Sequence, residues 1–182
     1  LGDVYKRQAL ETMHPVMGAL MQFRDELALQ HQHPSFAVNV PTLNLGCLRA
    51  GDNPNRICGH AELQIDLRLL PGMDSDAIHK QLEQRCHDAV AGSHTQLTVS
   101  TVYPPIPPFE SAADGELTTT LAALSGKAPG TVAFGTEAHF LQTLGMQTVV
   151  WGPGSIDQAH QPNEYLAVSY THLRAHETNV ER

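Results

Sequence analysis

The sequence predicts an α/β chain in two parts: a βαββαβ sandwich that lacks its first strand, then the closing part of an α/β domain. Three observations carry that prediction. Up to about residue 103 the apolar period runs helix, strand, strand, helix, strand, the element order of such a sandwich without its opening strand. A proline run, Pro104-Pro105-Ile106-Pro107-Pro108, then breaks the pattern. Further on, Val149-Val150-Trp151 stops at Gly152-Pro153-Gly154 and yields to a polar loop with Asp157, Gln158 and His160. Stiff β-branched residues followed by a sharp turn are how a buried parallel strand delivers its C-terminal end to a site.

Ala9 to about Gln30 reads as an amphipathic helix, with Leu10, Met13, Met17, Leu20, Met21 and Leu27 at three- and four-residue steps. Pro15 is tolerated only near a first turn, so a kink or a later start is expected there. Thr42–Leu48 alternates Leu43, Leu45 and Cys47 on one side, and Ala50-Gly51-Asp52-Asn53-Pro54-Asn55 supplies a turn-rich connection. Ile57 to Leu70 alternates more clearly, with Ala61, Leu63, Ile65, Leu67 and Leu69 set against Glu62, Gln64, Asp66 and Arg68. After Pro71-Gly72, Asp74 or Ser75 can cap a helix over Asp76–Ala91 anchored by Ile78, Leu82 and Val90. Gln96–Tyr103 is expected as a third strand, and both helices are expected on one face of the sheet.

The prolines suit a semi-rigid linker, which places a boundary between residues 9–103 and 104–167. Beyond it, Asp114–Ser125 reads as a helix with Leu117, Leu121 and Leu124 on one face. Thr131–Phe134 leads through Gly135-Thr136-Glu137 to a short helix, Ala138–Leu144, and Gln147–Trp151 is the last expected strand. Residues 1–8 and 168–182 share no pattern with their neighbours and look like translated sequencing adapters, so they are set aside from fold reasoning. His172 and His176 fall in that tail and are assigned nothing. The chain starts at Leu1 rather than Met, as a fragment or processed product would.

Bulk properties exclude several classes. A formal net charge of -8 argues against nucleic acid or an anionic membrane as partner. No apolar run is long enough to span a bilayer as a helix. Cys47, Cys58 and Cys86 are odd in number and lack CxxC spacing, which fits a reduced, cytoplasmic compartment.

Few residues carry chemistry by themselves. His160 follows a strand end and can ligate a metal, though a single loop histidine is commonly just solvated. Arg68 projects from the polar face two residues from Asp66, either as an exposed ion pair or as an anion-binding group. Glu137 either complements the dipole of the helix that Thr136 caps or faces a site.

The runs PTLNLGCLRAGDNPNRICGHAELQIDLRLLPGM, YPPIPPFES, GTEAHFLQTLG and GPGSIDQAHQPNEY resemble the co-catalytic zinc aminoacylase and carboxypeptidase metallopeptidase family, over about residues 9–167. The resemblance implies a truncated ferredoxin-like lid/dimerisation domain followed by the C-terminal part of an α/β zinc-hydrolase catalytic domain. It implies removal of the acetyl group from N-acetylornithine to give ornithine and acetate, in arginine biosynthesis, by a homodimer joined through the lid. Two zinc or cobalt ions would share a water whose proton a glutamate removes. By the same resemblance His160 is a metal ligand, Asn55 and Arg68 hold the polar groups of the substrate, and Thr136 and Glu137 line the cleft. Gly154 and Ser155 would offer backbone amides. The family's HxD motif, its paired glutamates and its other ligands have no counterpart here, so the chain alone is expected to be inactive, with no catalytic residue of its own. A sister amidohydrolase, such as a succinyl-diaminopimelate desuccinylase or a carboxypeptidase, is the alternative, and a non-catalytic dimerisation module the other.

Overall fold

The computed structural model describes residues 8–168; residues 1–7 and 169–182, which hold most of the two patternless ends, lie outside the described residues. The chain divides into two compact units, Leu1–Thr148 and Val149–Arg182.

In the first unit, helix α1 (Ala9–Gln30) leads to strands β1 (Thr42–Ala50) and β2 (Ala61–Arg68), then to helix α2 (Ser75–Ala89). Helices α3 (Glu116–Ser125) and α4 (Ala138–Thr143) follow. α1 runs continuously through Pro15 from Ala9, so the later start is not needed. The turn ahead of the proline is held from outside the helix: Ala9 N donates to Cys58 O at 2.9 Å, and Cys58 N donates to Gln8 Oε1 at 2.8 Å. Those bonds offset the hydrogen bond that proline cannot donate.

α2 begins where its cap dictates. The Asp74 carboxylate accepts from the backbone N–H of Asp76 and of Ala77, each at 3.0 Å, which satisfies two of the orphan donors of the first turn. Ile78, Leu82 and Cys86 lie one turn apart and are buried. They meet Met13, Val16, Leu20, Phe23 and Leu27 of α1 in one apolar cluster with Leu43 of β1. Ala61, Leu63, Ile65 and Leu67 of β2 pack against the same cluster, so both helices cover one face of the sheet. Phe23 is the best-buried large side chain, 1% exposed. Each such side chain contributes about 1.5–3 kcal/mol by leaving water. Across the helix pair Arg85 pairs with Glu26 and lies over the Phe23 ring, 4.7 Å from its centroid.

β1 and β2 pair antiparallel, with Leu43 opposite Leu67 and Leu45 opposite Ile65. Past Gly46 the register shifts, so that Cys47 faces Gln64 and Leu48 faces Leu63. The expected run of Leu43, Leu45 and Cys47 on one side therefore breaks at a β-bulge: the extra residue inverts which side chains share a face.

Two expected strands make no ladder. Gln96–Tyr103 has no regular structure and bends at Val102 and Tyr103; Leu97 and Val99 pack against the core cluster, but in the usual order of a βαββαβ sheet its neighbour is the first strand rather than β1 or β2. Gln147–Trp151 is likewise unpaired among the described residues, and Trp151 is 68% exposed rather than buried. A parallel strand is covered by neighbouring strands and crossover helices, and no strand pairs with this one among the described residues. α3 buries no residue, and Leu124, an expected anchor, is 77% exposed.

Candidate functional site

Four of the seven candidate residues lie in the first unit. Asn55 sits in the exposed loop between β1 and β2, where its backbone N–H donates to Asn53 Oδ1 at 3.1 Å. Arg56 pairs with Asp52 at 2.8 Å in the same loop. The Asn55 amide side chain has no protein partner among the described residues.

Arg68 closes β2. Its Nε donates to Asp66 Oδ2 at 2.8 Å and its Nη1 to the Ala133 carbonyl at 3.1 Å. The carboxylate partner follows from strand geometry, because residues two apart share a face. The carbonyl partner does not, since it lies 65 residues on. At 61% exposure of the Arg68 side chain, the Asp66 pair contributes little to stability. What it does is fix the guanidinium plane at the strand end.

The segment before α4 is tied to the first part of the unit a second time. The Thr131 hydroxyl accepts from Ala37 N at 3.1 Å and donates to Ser35 O at 3.2 Å. Arg68 is thereby brought beside the stretch that leads into Thr136 and Glu137. Thr136 Oγ1 accepts from Ala138 N at 3.1 Å, so its hydroxyl does serve the helix start. Glu137 occupies the cap position itself, one residue later than the expected cap at Thr136, and its exposed carboxylate makes no cap bond.

Three candidates lie in the second unit. Gly154 has φ 98°, a left-handed backbone that glycine adopts without strain, and an added Cβ would stand 3.3 Å from Leu166 Cδ1. Ser155 caps a single 3-10 turn, Ile156–Gln158, by accepting from Asp157 N. Its hydroxyl also donates to Asp157 Oδ2 at 3.1 Å. His160 is exposed and has φ 61°, and no other described non-glycine residue has positive φ. Its backbone N–H donates to Glu164 Oε2 at 3.0 Å. A carboxylate four residues on thus holds the loop in a conformation that costs a side-chain-bearing residue about 1–2 kcal/mol.

The donor chemistry for a metal ion is incomplete. No three His, Cys, Asp or Glu side chains come together among the described residues, whereas a catalytic zinc takes about three protein ligands. The described residues do not by themselves fit such an ion. Sequence reasoning passed over one buried and one half-buried imidazole. His139, 5% exposed, and His33 each keep an Nδ1 without a hydrogen-bond partner, and His33 Nε2 lies 3.3 Å from Glu110 Oε2. No periodicity flags a single histidine in a turn or in a short helix.

Residues 8–93, which carry α1, β1, β2 and α2, match the peptidase dimerisation domain family. The chain is 42% identical over 166 residues to the acetylornithine deacetylase of Aliivibrio salmonicida (strain LFI1238), covering 91% of this chain and 44% of that protein. By sequence, this chain is similar to the acetylornithine deacetylases. It is 43% identical over 162 residues to the enzyme of that name from Aliivibrio fischeri (strain MJ11), 89% of this chain and 43% of the other. With that of Vibrio vulnificus (strain CMCP6) it shares 44% over 162 residues, with the same coverage of 89% and 43%. The chain therefore spans less than half the length of these deacetylase relatives.

Proposed function

We propose that this chain forms part of a metal-dependent amidohydrolase that removes the acetyl group from N-acetylornithine, giving ornithine and acetate. The observation that carries the reading is identity above 40% to proteins named acetylornithine deacetylase along nine-tenths of the chain. The stretch 9–103 acts as the lid and dimer-forming part, supported by the peptidase dimerisation match, and 104–167 belongs to the catalytic part. The assembly is a homodimer working in the cytoplasm, which suits three unpaired cysteines.

In this reading Arg68 receives the α-carboxylate of the substrate. Its fork is already oriented by Asp66 and Ala133, and a planar guanidinium matches a carboxylate in a way an ammonium does not. Asn55 offers an uncommitted amide to the polar groups of the substrate. Thr136 and Glu137 line the same cleft, and Gly154 and Ser155 present backbone amides. His160 serves as one ligand to zinc or cobalt, the remaining ligands and the general base coming from polypeptide other than the described residues. No chemical step is assigned to those residues alone.

The test is a chimaera in which this chain replaces the matched region of the Aliivibrio salmonicida deacetylase. It should release ornithine from N-acetylornithine in a metal-dependent reaction, and the isolated 182-residue chain should not. A folded chimaera that ignores N-acetylornithine but cleaves N-succinyl-diaminopimelate would replace this reading with the sister activity.

A further inference from the structure

Arg68 is held by two hydrogen bonds and by little else. Its side chain is 61% exposed, so packing does not fix the guanidinium. The bond from Nε to Asp66 Oδ2 leaves the plane free to rock about that one contact, and the bond from Nη1 to the Ala133 carbonyl stops it. That second bond is only as firm as Ala133 itself. Residues 127–135 form no regular structure, and the chain bends at Ala133 and Phe134. A Cβ added at Gly130 or Gly135 would meet nothing within 4 Å, and Val132 and Phe134 are exposed, so neighbours do not clamp the segment. Among the described residues, the hydrogen bonds from Ala128 to Gly135 are those of the Thr131 hydroxyl and the one Ala133 accepts from Arg68. The Thr131 hydroxyl serves one distant loop twice, accepting from Ala37 N at 3.1 Å and donating to Ser35 O at 3.2 Å. That loop is itself closed. His33 N donates to Asn39 O at 2.9 Å, Phe36 N donates to His33 O at 3.0 Å, and the two rings meet edge-on, centroids 4.8 Å apart.

We infer that Thr131 is a positioning residue for Arg68: its hydroxyl moors the Ala133 carbonyl, and that carbonyl sets the guanidinium to receive the substrate carboxylate. The inference rests on the proposed reading of Arg68 as the carboxylate-binding group. Thr131 touches no reacting atom, and its effect is on binding. A fork fixed in advance loses less freedom when the carboxylate arrives. A fork free to rock aligns its N–H groups with both carboxylate oxygens for a smaller share of the time. Two substitutions separate the hydroxyl from its packing. Valine has the shape of threonine without donor or acceptor, and serine keeps both without the methyl group.

A double-mutant cycle in the chimaera tests it. Thr131→Val should raise KM for N-acetylornithine about fivefold with kcat nearly unchanged, and Thr131→Ser should stay within about twofold of the parent. In an Arg68→Ala background, Thr131→Val should change KM by less than about twofold, because no guanidinium is then left to place. A second readout needs no activity. On the full 182-residue chain, exchange of the Arg68 Nε–H with water, followed by NMR, should quicken about fivefold in Thr131→Val. The Phe23 and Leu82 amides should keep their protection in that variant, which shows an intact core. If Arg68→Ala raises KM while Thr131→Val does not, or if the Thr131→Val effect persists in full without Arg68, the inference alone is overturned. Unchanged exchange of the Arg68 Nε–H would overturn it as well. An unchanged KM in Arg68→Ala would instead remove the substrate reading, and the inference with it.

Discussion

The guanidinium of Arg68 donates to the carbonyl of Ala133 at 3.1 Å, joining the end of β2 to the stretch that leads into α4. This bond unites two candidate regions that the sequence separates by a proline run. If Arg68 receives the substrate carboxylate, then in the chimaera Arg68→Ala should lower kcat/KM by about ten- to a hundredfold, mainly through KM, as expected for one charge-assisted bond. Arg68→Lys should recover little of it, because a point charge cannot replace the fork. Steady-state kinetics on N-acetylornithine decides, and an unchanged KM would remove Arg68 from the site.

His160 can be checked by metal content. In the chimaera, His160→Ala should reduce bound zinc or cobalt, read by elemental analysis after dialysis, and activity should fall in step. His160→Gly, which relieves the positive φ, should lose metal equally while leaving the loop at least as stable. Full metal occupancy in both variants would show that the imidazole is not a ligand.

The pair of Glu26 and Arg85 gives a pH dependence. Arg85 holds the Glu26 carboxyl below its ordinary value of 4.5, largely through their hydrogen bond. A carboxylate with a depressed folded-state pKa contributes stability that is fully present above its unfolded value and is lost as pH falls through the folded value. Urea midpoints should therefore drop as pH is lowered from about 5 through the region below 4.5, and Glu26→Gln should flatten that part of the profile. An identical slope in the variant would assign the acid sensitivity to other carboxylates.

Phe23 is 1% exposed and lies under the Arg85 guanidinium. Phe23→Ala should cost about 3–5 kcal/mol of unfolding free energy, a large fraction of a domain's ordinary stability. Phe23→Leu should cost much less. Urea melts of the two variants, followed by circular dichroism, make the comparison, and a loss below about 1 kcal/mol for the alanine variant would contradict the packing described.

The cysteines should differ in reactivity. Burial, helped by the nearby Glu83 carboxylate, pushes the Cys86 thiol up, and Cys58 is buried with its thiol donating to His60 O at 3.1 Å. Cys47 is only partly covered. Titration with a disulfide reagent should modify Cys47 in the native protein, and the other two only on unfolding. Early modification of Cys86 would contradict its burial between the helices.

Much of the first unit was legible because its elements carry their own instructions. The α1 stripe and the Asp74 cap fix both helices locally, and the alternation in β2 declares which face is covered. The bulge had one mark, the lone glycine Gly46 inside a strand pattern, which simple alternation of Leu43, Leu45 and Cys47 runs straight through. Gln96–Tyr103 and Gln147–Trp151 show where strand composition falls short: a strand is defined by its partner, and period two or a β-branched run says nothing of whether one is in place. At the site, the contact of Arg68 with Asp66 follows from spacing, but that with Ala133 belongs to tertiary structure. The left-handed backbone at His160 had no signal, because glycine is the usual mark of such a position and glycine is absent there.

The bulge has one further consequence. Every pair on either side of Gly46 would survive deletion of that residue, because the register simply steps by one there. What the extra residue alters is the bend of β1, and therefore the direction in which the strand hands the chain to the loop carrying Asn55. The aim of a candidate substrate-binding side chain is thus set nine positions upstream, by a residue whose added Cβ would meet only Asn44 Nδ2 and Gln64 O, each at 3.6 Å. Shortening β1 by that one residue would leave the sheet intact and point the loop elsewhere.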